Sequence, residues 1–262
     1  MPYSKDDRKL ILDQLNTELI GCDVMVHDSV ESTNDMAISL AQTGSPEGTV
    51  VLSDHQTKGK GRRDRSWYSE PHSGIYLSVI LKPTLPPEQM AQITLVAGVA
   101  MIQAINEFSQ AKPLLKWPND IFINHKKVAG ILSEQYQGGD HTGIIIGIGV
   151  NVNHSRFPVS LQHIATSLAM ENGGSLERLP LIIALLNHLD KEYRLFMDEG
   201  LGSAIDQWNF NSDMFGKHVS LTQGNETIVG TAEMLNEEGH LVISLESGEK
   251  IAFASGEVAL LE

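Results

Sequence analysis

The spacing of hydrophobic positions predicts a protein in which helices and strands alternate over the first two hundred residues. Apolar residues recur at helical spacing in some segments, whereas short runs rich in β-branched residues are typical of strands. We predict helices over 5–18, 33–40, 88–108, 179–198 and 201–209. We predict strands over 23–28, 50–55, 74–82, 114–117, 121–123, 128–134 and 142–153, with 121–123 and 128–134 forming a hairpin.

The pattern changes from about residue 213. Short alternating strands follow one another there, and glycines separate them at close to ten-residue spacing, at positions 216, 224, 230, 239, 248 and 256. This pattern is typical of a small all-β barrel. We therefore predict an α+β main domain over residues 1–212 and a C-terminal barrel over residues 213–262.

Composition narrows the class of protein. The chain has 262 residues, 41% of them hydrophobic, and a formal net charge of −14, which argues against broad nucleic-acid binding. Cys22 is the single cysteine, so neither a disulfide framework nor a cysteine zinc site is expected. The N-terminus lacks a signal-peptide pattern and no run of about 18 apolar residues occurs. We expect a cytoplasmic protein that does not span a membrane.

One short segment concentrates positive charge in this acidic chain. The cationic loop, residues 58–65, reads KGKGRRDR and contains Lys58, Lys60, Arg62, Arg63 and Arg65 around Gly59 and Gly61. Glycines leave backbone N–H groups free to approach a ligand, and arginines present forked donors to phosphate or carboxylate oxygens. The segment therefore favours an anion-binding loop, although a solvated basic loop would have the same composition. It matches neither a Walker loop nor a dinucleotide fingerprint.

Two further stretches add polar groups next to predicted strands. Lys116–Asp120, KWPND, holds a lysine, an amide and a carboxylate around a proline; Lys116 suits a phosphate, and Asp120 suits Mg²⁺ bound together with phosphate oxygens. Lys127 adjoins a strand that points back toward that motif, where it could stabilise a transferring phosphate. A Pro-Asn-Asp turn and an exposed hairpin lysine are the simpler alternatives.

Two more stretches have both a structural and a functional interpretation. Glu31–Asn34, ESTN, is typical of a helix N-cap, and a helix N-terminus also binds anions. Gly147 and Gly149 lie two residues apart in a buried strand and so on one face of it, which indicates close approach of a ligand or of another backbone.

Taken in order, these stretches resemble the biotin–protein ligase family, in a form without an N-terminal DNA-binding domain. The resemblance runs from about Asp28 to Asn153, and more loosely into the barrel, through ESTN, Q-x-x-GKGRRDRSW, GIYLS, KWPND, Lys127, AGIL-x-E and GIGVNVN. It implies a central mixed sheet with helices and a small C-terminal SH3-like β-barrel. It also implies two reactions. Biotin and MgATP give biotinyl-5′-AMP and pyrophosphate, and biotin then passes to a lysine of a biotin carboxyl carrier protein.

The resemblance also implies roles for individual residues. Lys127 and Arg62 would be catalytic, and Asp120 would hold Mg²⁺. Biotin would contact Ser32, Thr33, Asn34, Gln56, Gly59, Lys60, Gly61, Arg62, Lys127, Gly130, Gly147 and Gly149. ATP or the adenylate would contact Lys60, Arg62, Arg63, Arg65, Trp67, Lys116, Asn119, Lys127 and Asn151. No prosthetic group is expected, and the barrel is assigned no catalytic residue.

The chain departs from the family at two loop positions. The family loop commonly reads G-R-G-R-R-G-R, whereas this chain has Lys60 in place of the first arginine and Asp64 in place of the third glycine. Lysine keeps the charge but loses the guanidinium fork, and Asp64 adds an anion and a Cβ. These differences concern how the loop moves and how tightly it retains the intermediate.

Three other functions remain as alternatives. These are a lipoate ligase, a module that senses biotinyl-adenylate without transferring it, and a nucleic-acid-binding protein. About 27 residues precede the first motif, so we expect no DNA-binding repressor activity. The protein is expected to be a monomer or a homodimer, and residues 142–153 are a candidate sheet edge for dimerisation.

Overall fold

The computed structural model describes residues 3–139 and 141–261, and within them the α+β class is confirmed. The helices are α1 (Lys5–Gln14), α2 (Thr33–Gln42), α3 (Ile93–Phe108), α4 (Leu168–Asn172), α5 (Arg178–Glu199) and α6 (Gly202–Asn211), with a 3₁₀ turn at Met90–Gln92. The first seven strands are β1 (Val24–His27), β2 (Val50–Ser53), β3 (Gly74–Leu81), β4 (Leu114–Lys116), β5 (Asp120–Ile123), β6 (Lys126–Gly138) and β7 (His141–Asn151). The last five are β8 (His218–Gln223), β9 (Glu226–Leu235), β10 (Leu241–Ser244), β11 (Lys250–Phe253) and β12 (Glu257–Leu260).

The first seven strands form one mixed sheet in the order β1-β2-β3-β7-β6-β5-β4. Strands β1 and β2 are parallel, and the other neighbouring pairs are antiparallel. Strand β7 pairs with β3 on one side and with β6 on the other. The expectation that residues 142–153 offer a free edge is therefore wrong, because both sides of that strand are already hydrogen-bonded.

Helices cover the two faces of this sheet unequally. The apolar face packs on α3 and α5, and alternate residues of β7 such as Ile144, Ile146 and Ile148 point into that core. On the opposite face α2 makes a smaller cluster with Val51 and Ile145. Beyond the N-terminal end of α2 this second face carries glycines and polar side chains, and the cavity described below lies there.

The ends of two predicted helices shift. Helix α1 ends at Gln14 rather than at residue 18, because the following backbone bonds to α5 instead: the N–H of Asn16 donates to Asn187, and those of residues 18–20 donate to Asp190. The helix predicted over 88–108 starts as a 3₁₀ turn before α3.

By length and composition alone, Met90–Phe108 could cross a membrane, but two thirds of it is buried inside the protein as a core helix.

The last five strands form an antiparallel sheet in the order β11-β10-β9-β8-β12, which confirms a separate all-β unit at the C-terminus. This unit contacts the main sheet through specific hydrogen bonds. The Trp117 indole donates to the carbonyl of Gly239 at 3.2 Å, and Arg63 of the cationic loop donates to the carbonyl of Thr222 at 3.2 Å. The division of the chain between residues 212 and 213 stays a prediction.

Candidate active site

A cavity of about 520 Å³ lies between the polar face of the main sheet, the cationic loop and the start of β12. Almost all of the predicted site residues line it: Ser32, Thr33, Asn34, Gln56, Lys60, Gly61, Arg62, Arg63, Arg65, Trp67, Lys116, Asn119, Asp120, Lys127, Gly130, Gly147, Gly149 and Asn151. Gly59 is the exception, because it lines a second, neighbouring depression instead. The fold therefore brings together motifs that are separated by up to 119 residues of chain, from Ser32 to Asn151.

The cationic loop forms the tip of an irregular hairpin. Trp67 N–H donates to the Gly59 carbonyl at 2.8 Å, and Gly61 N–H donates to the Arg65 carbonyl at 2.6 Å. At the tip Arg63 and Asp64 have φ values of 56° and 58°, in the left-handed region. Residues other than glycine, asparagine and aspartate seldom adopt that region, so a turn with an arginine there is strained.

The side chains of the loop reach three different parts of the cavity wall. Lys60 forms an ion pair with Asp35 of α2, and the Arg62 guanidinium donates to Asn119 Oδ1 at 2.8 Å. Arg65 donates two hydrogen bonds to the Glu257 carboxylate, at 2.6 and 2.8 Å. These contacts hold the loop across the cavity, although the Lys60 and Arg65 side chains stay exposed. Lys58 instead pairs with Glu31 at the exposed surface and does not line the cavity.

A β-bulge directs Lys127 into the cavity. The pairing of β5 with β6 shifts between Ile121, which faces Ala129, and Phe122, which faces Lys127. The extra residue reverses the side-chain alternation, so Lys127 and Gly130 lie on the same face as Asp120. Lys127 Nζ consequently lies 2.6 Å from Asp120 Oδ1 and 5.3 Å from the centre of the Trp67 ring. A regular strand would have pointed Lys127 to the opposite face.

The KWPND motif forms the cavity wall below Lys127. Its Trp117–Pro118 peptide bond is cis, and Trp117 is buried in the core. Asn119 donates to the Ile131 carbonyl at 2.7 Å, which leaves its side-chain oxygen for Arg62. Lys116 Nζ lies 4.6 Å from the centre of the Phe122 ring, and burial lowers its pKa while the Asp120 carboxylate acts in the opposite direction.

The ESTN motif forms a buried polar pocket at the other end of the cavity. Ser32 is the N-cap of α2, as the structural interpretation predicts, and its contact with biotin stays a prediction. Thr33 donates through its backbone N–H and its hydroxyl to Gln56 Oε1, at 2.8 and 3.1 Å. Asn34 donates to Glu134 at 2.6 Å and to the Leu132 carbonyl at 3.2 Å. No side chain or carbonyl in residues 3–139 and 141–261 accepts from the Gln56 side-chain amide N–H groups, so these donors can serve a ligand.

The predicted glycines make room for side chains of the protein. A Cβ on Gly147 would lie 2.0 Å from Asn34 Oδ1, and a Cβ on Gly149 would lie 2.5 Å from the Trp67 indole. A Cβ on Gly130 would lie 2.9 Å from Lys127 Cε. These three positions therefore admit Asn34, Trp67 and Lys127 to the cavity. Their predicted contact with biotin rings stays a prediction.

Asn151 ties a later segment to the cavity. It is buried and donates to the Thr166 carbonyl at 3.0 Å. The backbone of Lys127 bonds to the same segment, donating to the Ile164 carbonyl and accepting from Thr166 N–H. Phe157 and Ile164 line the cavity as a result. The sequence motifs contained no signal for this segment.

Charge separates the two ends of the cavity. Among the described residues, six lysine and arginine side chains line it against two carboxylates, Asp120 and Glu257, in a protein whose formal net charge is −14. Burial lowers the pKa of Arg62, which indicates an incompletely solvated guanidinium. The hydrogen bond from Arg65 is the main cause of the lowered pKa of Glu257. One end thus suits a polyanion and the other an uncharged hydrogen-bonding group.

Three residues of the site were not predicted. Ser78 donates from β3 toward Thr33 and Asn34, at 2.8 and 2.6 Å, and Glu134 accepts from Asn34. Both stand inside motifs that carry the resemblance, GIYLS and AGIL-x-E, so their motifs already marked them. Glu257 comes from the C-terminal unit, which was expected to contribute no catalytic residue, and only the folded chain brings it to Arg65.

Comparisons with known proteins identify the family. The chain is 37% identical over 244 residues to the bifunctional ligase/repressor BirA of Bacillus subtilis, an alignment that covers 92% of this chain and 75% of that protein. The chain belongs to the biotin protein ligase family. The model of the biotin/lipoate A/B protein ligase family matches residues 26–151, and that of the biotin protein ligase C-terminal domain matches residues 214–261. The predicted family and the assignment as a ligase are confirmed.

Solved structures agree with this assignment. A biotin protein ligase from Aquifex aeolicus, solved in complex with biotin and ATP, superposes with a TM-score of 0.80 at 29% identity. That comparison covers 92% of this chain and 99% of the Aquifex chain. The biotin–[acetyl-CoA-carboxylase] ligase of Mycobacterium tuberculosis is 28% identical over 236 residues, which cover 88% of this chain and 86% of that protein.

Proposed function

We propose that this biotin protein ligase activates biotin with ATP and then transfers it to one lysine of a biotin carboxyl carrier protein. The observation that carries the proposal is the pairing of two unlike ends in a single cavity. A neutral pocket of Thr33, Asn34 and Gln56 suits the ureido group of biotin, and the cations around Lys127 suit a triphosphate. The ligands in the Aquifex structure, biotin and ATP, support the same assignment.

In the first step, a carboxylate oxygen of biotin attacks the α-phosphorus of ATP. The new bond is between that oxygen and phosphorus, the bond from phosphorus to the bridging oxygen breaks, and pyrophosphate leaves. Two anions must approach each other, so the barrier falls when fixed cations face them. Lys127 and Arg62 supply these charges, and Lys60, Arg63, Arg65 and Lys116 surround the phosphates.

In the second step, a neutral lysine amine of the carrier attacks the acyl carbon of biotinyl-5′-AMP. An amide bond forms, AMP leaves with the bonding electrons, and the amine loses its proton to solvent. The enzyme contributes mainly by holding the two reactants together. Trp67 and the cationic loop cover the adenylate meanwhile and so exclude water from its labile anhydride.

Mg²⁺ is proposed as a companion of ATP rather than as a resident metal. Within residues 3–139 and 141–261, no group of three histidine, cysteine or acidic side chains forms a metal cage. Of the two carboxylates that line the cavity, Glu257 is held by Arg63 and Arg65, which leaves Asp120, beside Lys127, for the ion. A single carboxylate fits an ion whose other ligands are phosphate oxygens and water. When bound, the ion would neutralise phosphate charge.

The remaining proposals concern the setting of the reaction. We propose a cytoplasmic enzyme, monomeric or homodimeric, whose partner is the carrier domain of acetyl-CoA carboxylase or of another biotin-dependent carboxylase. We also propose that it does not repress transcription. The acidic charge of the chain supports this.

The test is mass spectrometry of the purified protein after incubation with MgATP and biotin, with lipoate in a parallel reaction. Protein-retained biotinyl-5′-AMP with released pyrophosphate is expected, and a carrier domain added afterwards should gain one biotin. An adenylate formed only from lipoate would assign the chain to lipoate activation. An adenylate that no carrier accepts would favour a sensor of the intermediate.

A further inference from the structure

The loop of residues 55–73, which contains the cationic loop, leaves the main sheet at the end of β2 and returns at the start of β3. Asp54 occupies the first of these points, directly after Ser53. Its side chain is 2% exposed. A buried carboxylate is strongly destabilising unless cations or hydrogen-bond donors surround it. The partners of Asp54 therefore reveal which parts of the chain it must hold.

Those partners lie at the far end of the same loop. His72 approaches Asp54 Oδ2 twice, through Nδ1 at 2.6 Å and through its backbone N–H at 3.2 Å. Arg178, at the start of α5, lies 2.7 Å from Asp54 Oδ1 and also donates to the Gly74 carbonyl at 2.9 Å. The Asp54 carboxylate, directly before the loop, thus holds the last turn of the loop through His72 and the first residue of β3 through Arg178.

Further cross-links run from this base to the tip of the loop. They join residues 56 to 69, 59 to 67 and 61 to 65, at 2.8, 2.8 and 2.6 Å respectively. Each pair lies inside the previous one, so the position of the base constrains the position of the tip. Gln56, which accepts both hydrogen bonds from Thr33, follows Asp54 by only two residues. The base therefore also constrains the neutral pocket.

We propose that Asp54 is a positioning residue for the reaction: with Arg178 and His72 it holds the base of loop 55–73, and thereby places Gln56 against biotin and the cationic loop over the adenylate. This inference rests on the proposed function. Asp54 touches neither reactant and acts only through the loop. A buried ion pair is not required for stability as such, because apolar side chains of similar volume often serve equally well. Stability alone does not require that such a pair join the two ends of a substrate loop, whereas a positioning role explains this placement.

The experiment compares Asp54→Asn and His72→Ala with the wild-type protein. His72→Ala serves as the milder variant, because its side chain is 51% exposed and Asp54 keeps Arg178. His188→Ala is the matched control: it removes another histidine–carboxylate pair of 2.6 Å, between His188 and Glu107, on helices remote from the loop. Hydrogen–deuterium exchange of the protein alone measures loop order, and steady-state adenylation measures KM for biotin and kcat.

Loss of a hydrogen bond to a charged group predicts at least about tenfold faster exchange at Gly61 and Trp67 in Asp54→Asn, with a smaller rise in His72→Ala. The amides of β7 should exchange at wild-type rates in both variants, and the loop amides of the control His188→Ala should do so too. KM for biotin should rise more in Asp54→Asn than in His72→Ala. The value of kcat should change little, because saturating biotin shifts the protein to the state with the ordered loop.

Wild-type exchange at Gly61 and Trp67 in both variants would overturn the inference. Equal acceleration of loop and β7 amides would overturn it too, because Asp54 would then serve stability alone. If the wild-type protein made no adenylate, the proposed function would fail, but the exchange data would still report whether Asp54 orders the loop.

Discussion

The stability of this protein should depend on pH through one buried histidine, His154, which follows β7. Its side chain is fully buried, stacks on Phe157 at 5.1 Å between ring centroids and lies 5.8 Å from the Tyr68 ring. Its Nε2 lies 3.4 Å from the Tyr76 hydroxyl, and its Nδ1 has no hydrogen-bond partner among the described residues. Burial therefore lowers the pKa of His154 from 6.5 to about 4.

The sign and size of the effect follow from this pKa. Well above pH 6.5 the imidazole is neutral in both the folded and the unfolded protein, so its titration does not change the free energy of unfolding. As pH falls from 6.5 to about 4, the unfolded chain takes up a proton that the folded protein refuses, and the free energy of unfolding decreases. One unit of pKa corresponds to about 1.4 kcal/mol, so the loss from about pH 7.5 to about pH 5 is roughly 2 kcal/mol.

The assay is urea unfolding at about pH 7.5 and about pH 5, for the wild-type protein and for His154→Gln. Glutamine does not titrate, so the variant should lose roughly 2 kcal/mol less than the wild type between these two conditions. His218→Gln, at an exposed position, is the control and should behave like the wild type. Equal losses in wild type and His154→Gln would refute the assignment of a neutral, buried imidazole.

Lys127→Ala should slow adenylate formation by about 10²–10³, because it removes a cation from the developing charge; a pyrophosphate-release rate within a few-fold of wild type would contradict that role. Arg62→Gly should bind biotinyl-5′-AMP loosely and biotinylate bystander proteins, whereas tight retention of the adenylate would argue against the loop as its cover. Glu257→Gln should speed adenylate dissociation by freeing Arg65, and an unchanged dissociation rate, measured by filtration, would contradict that role. In the wild-type protein the contact should hold at neutral pH and weaken only in acid, below the usual pKa range of a glutamate, because the pKa of Glu257 is lowered. Asp64→Val should strain the turn at φ 58° by about 1–2 kcal/mol and speed amide exchange of the loop tip, whereas Asp64→Gly should keep the turn; equal exchange in both would count against a strained tip.

The elements of the fold were largely predictable because each depends on local periodicity. Alternating residues of β7 show this: Ile144, Ile146 and Ile148 face the main core while Gly147 and Gly149 face the cavity, as their spacing of two predicts. Ser32 as the cap of α2 was equally local, since a cap is a property of a few neighbouring residues.

Side-chain direction at Lys127 was not predictable from periodicity. A bulge between β5 and β6 turns it toward Asp120, and a bulge depends on how two strands pair rather than on either strand alone. The order of the strands in the sheet also could not be predicted from the pattern of hydrophobic positions. It placed β7 inside the sheet, where residues 142–153 had been expected to offer an edge.

By itself, the sequence determined the α+β class, the order of the motifs and, through them, the family. The tertiary structure alone decided which distant groups meet: Arg65 with Glu257, 192 residues apart, and Asp54 with His72 and Arg178. The physical reason is range. Helix and strand propensities act over a few residues, whereas ion pairs and buried hydrogen bonds depend on distances that exist only after the chain has packed.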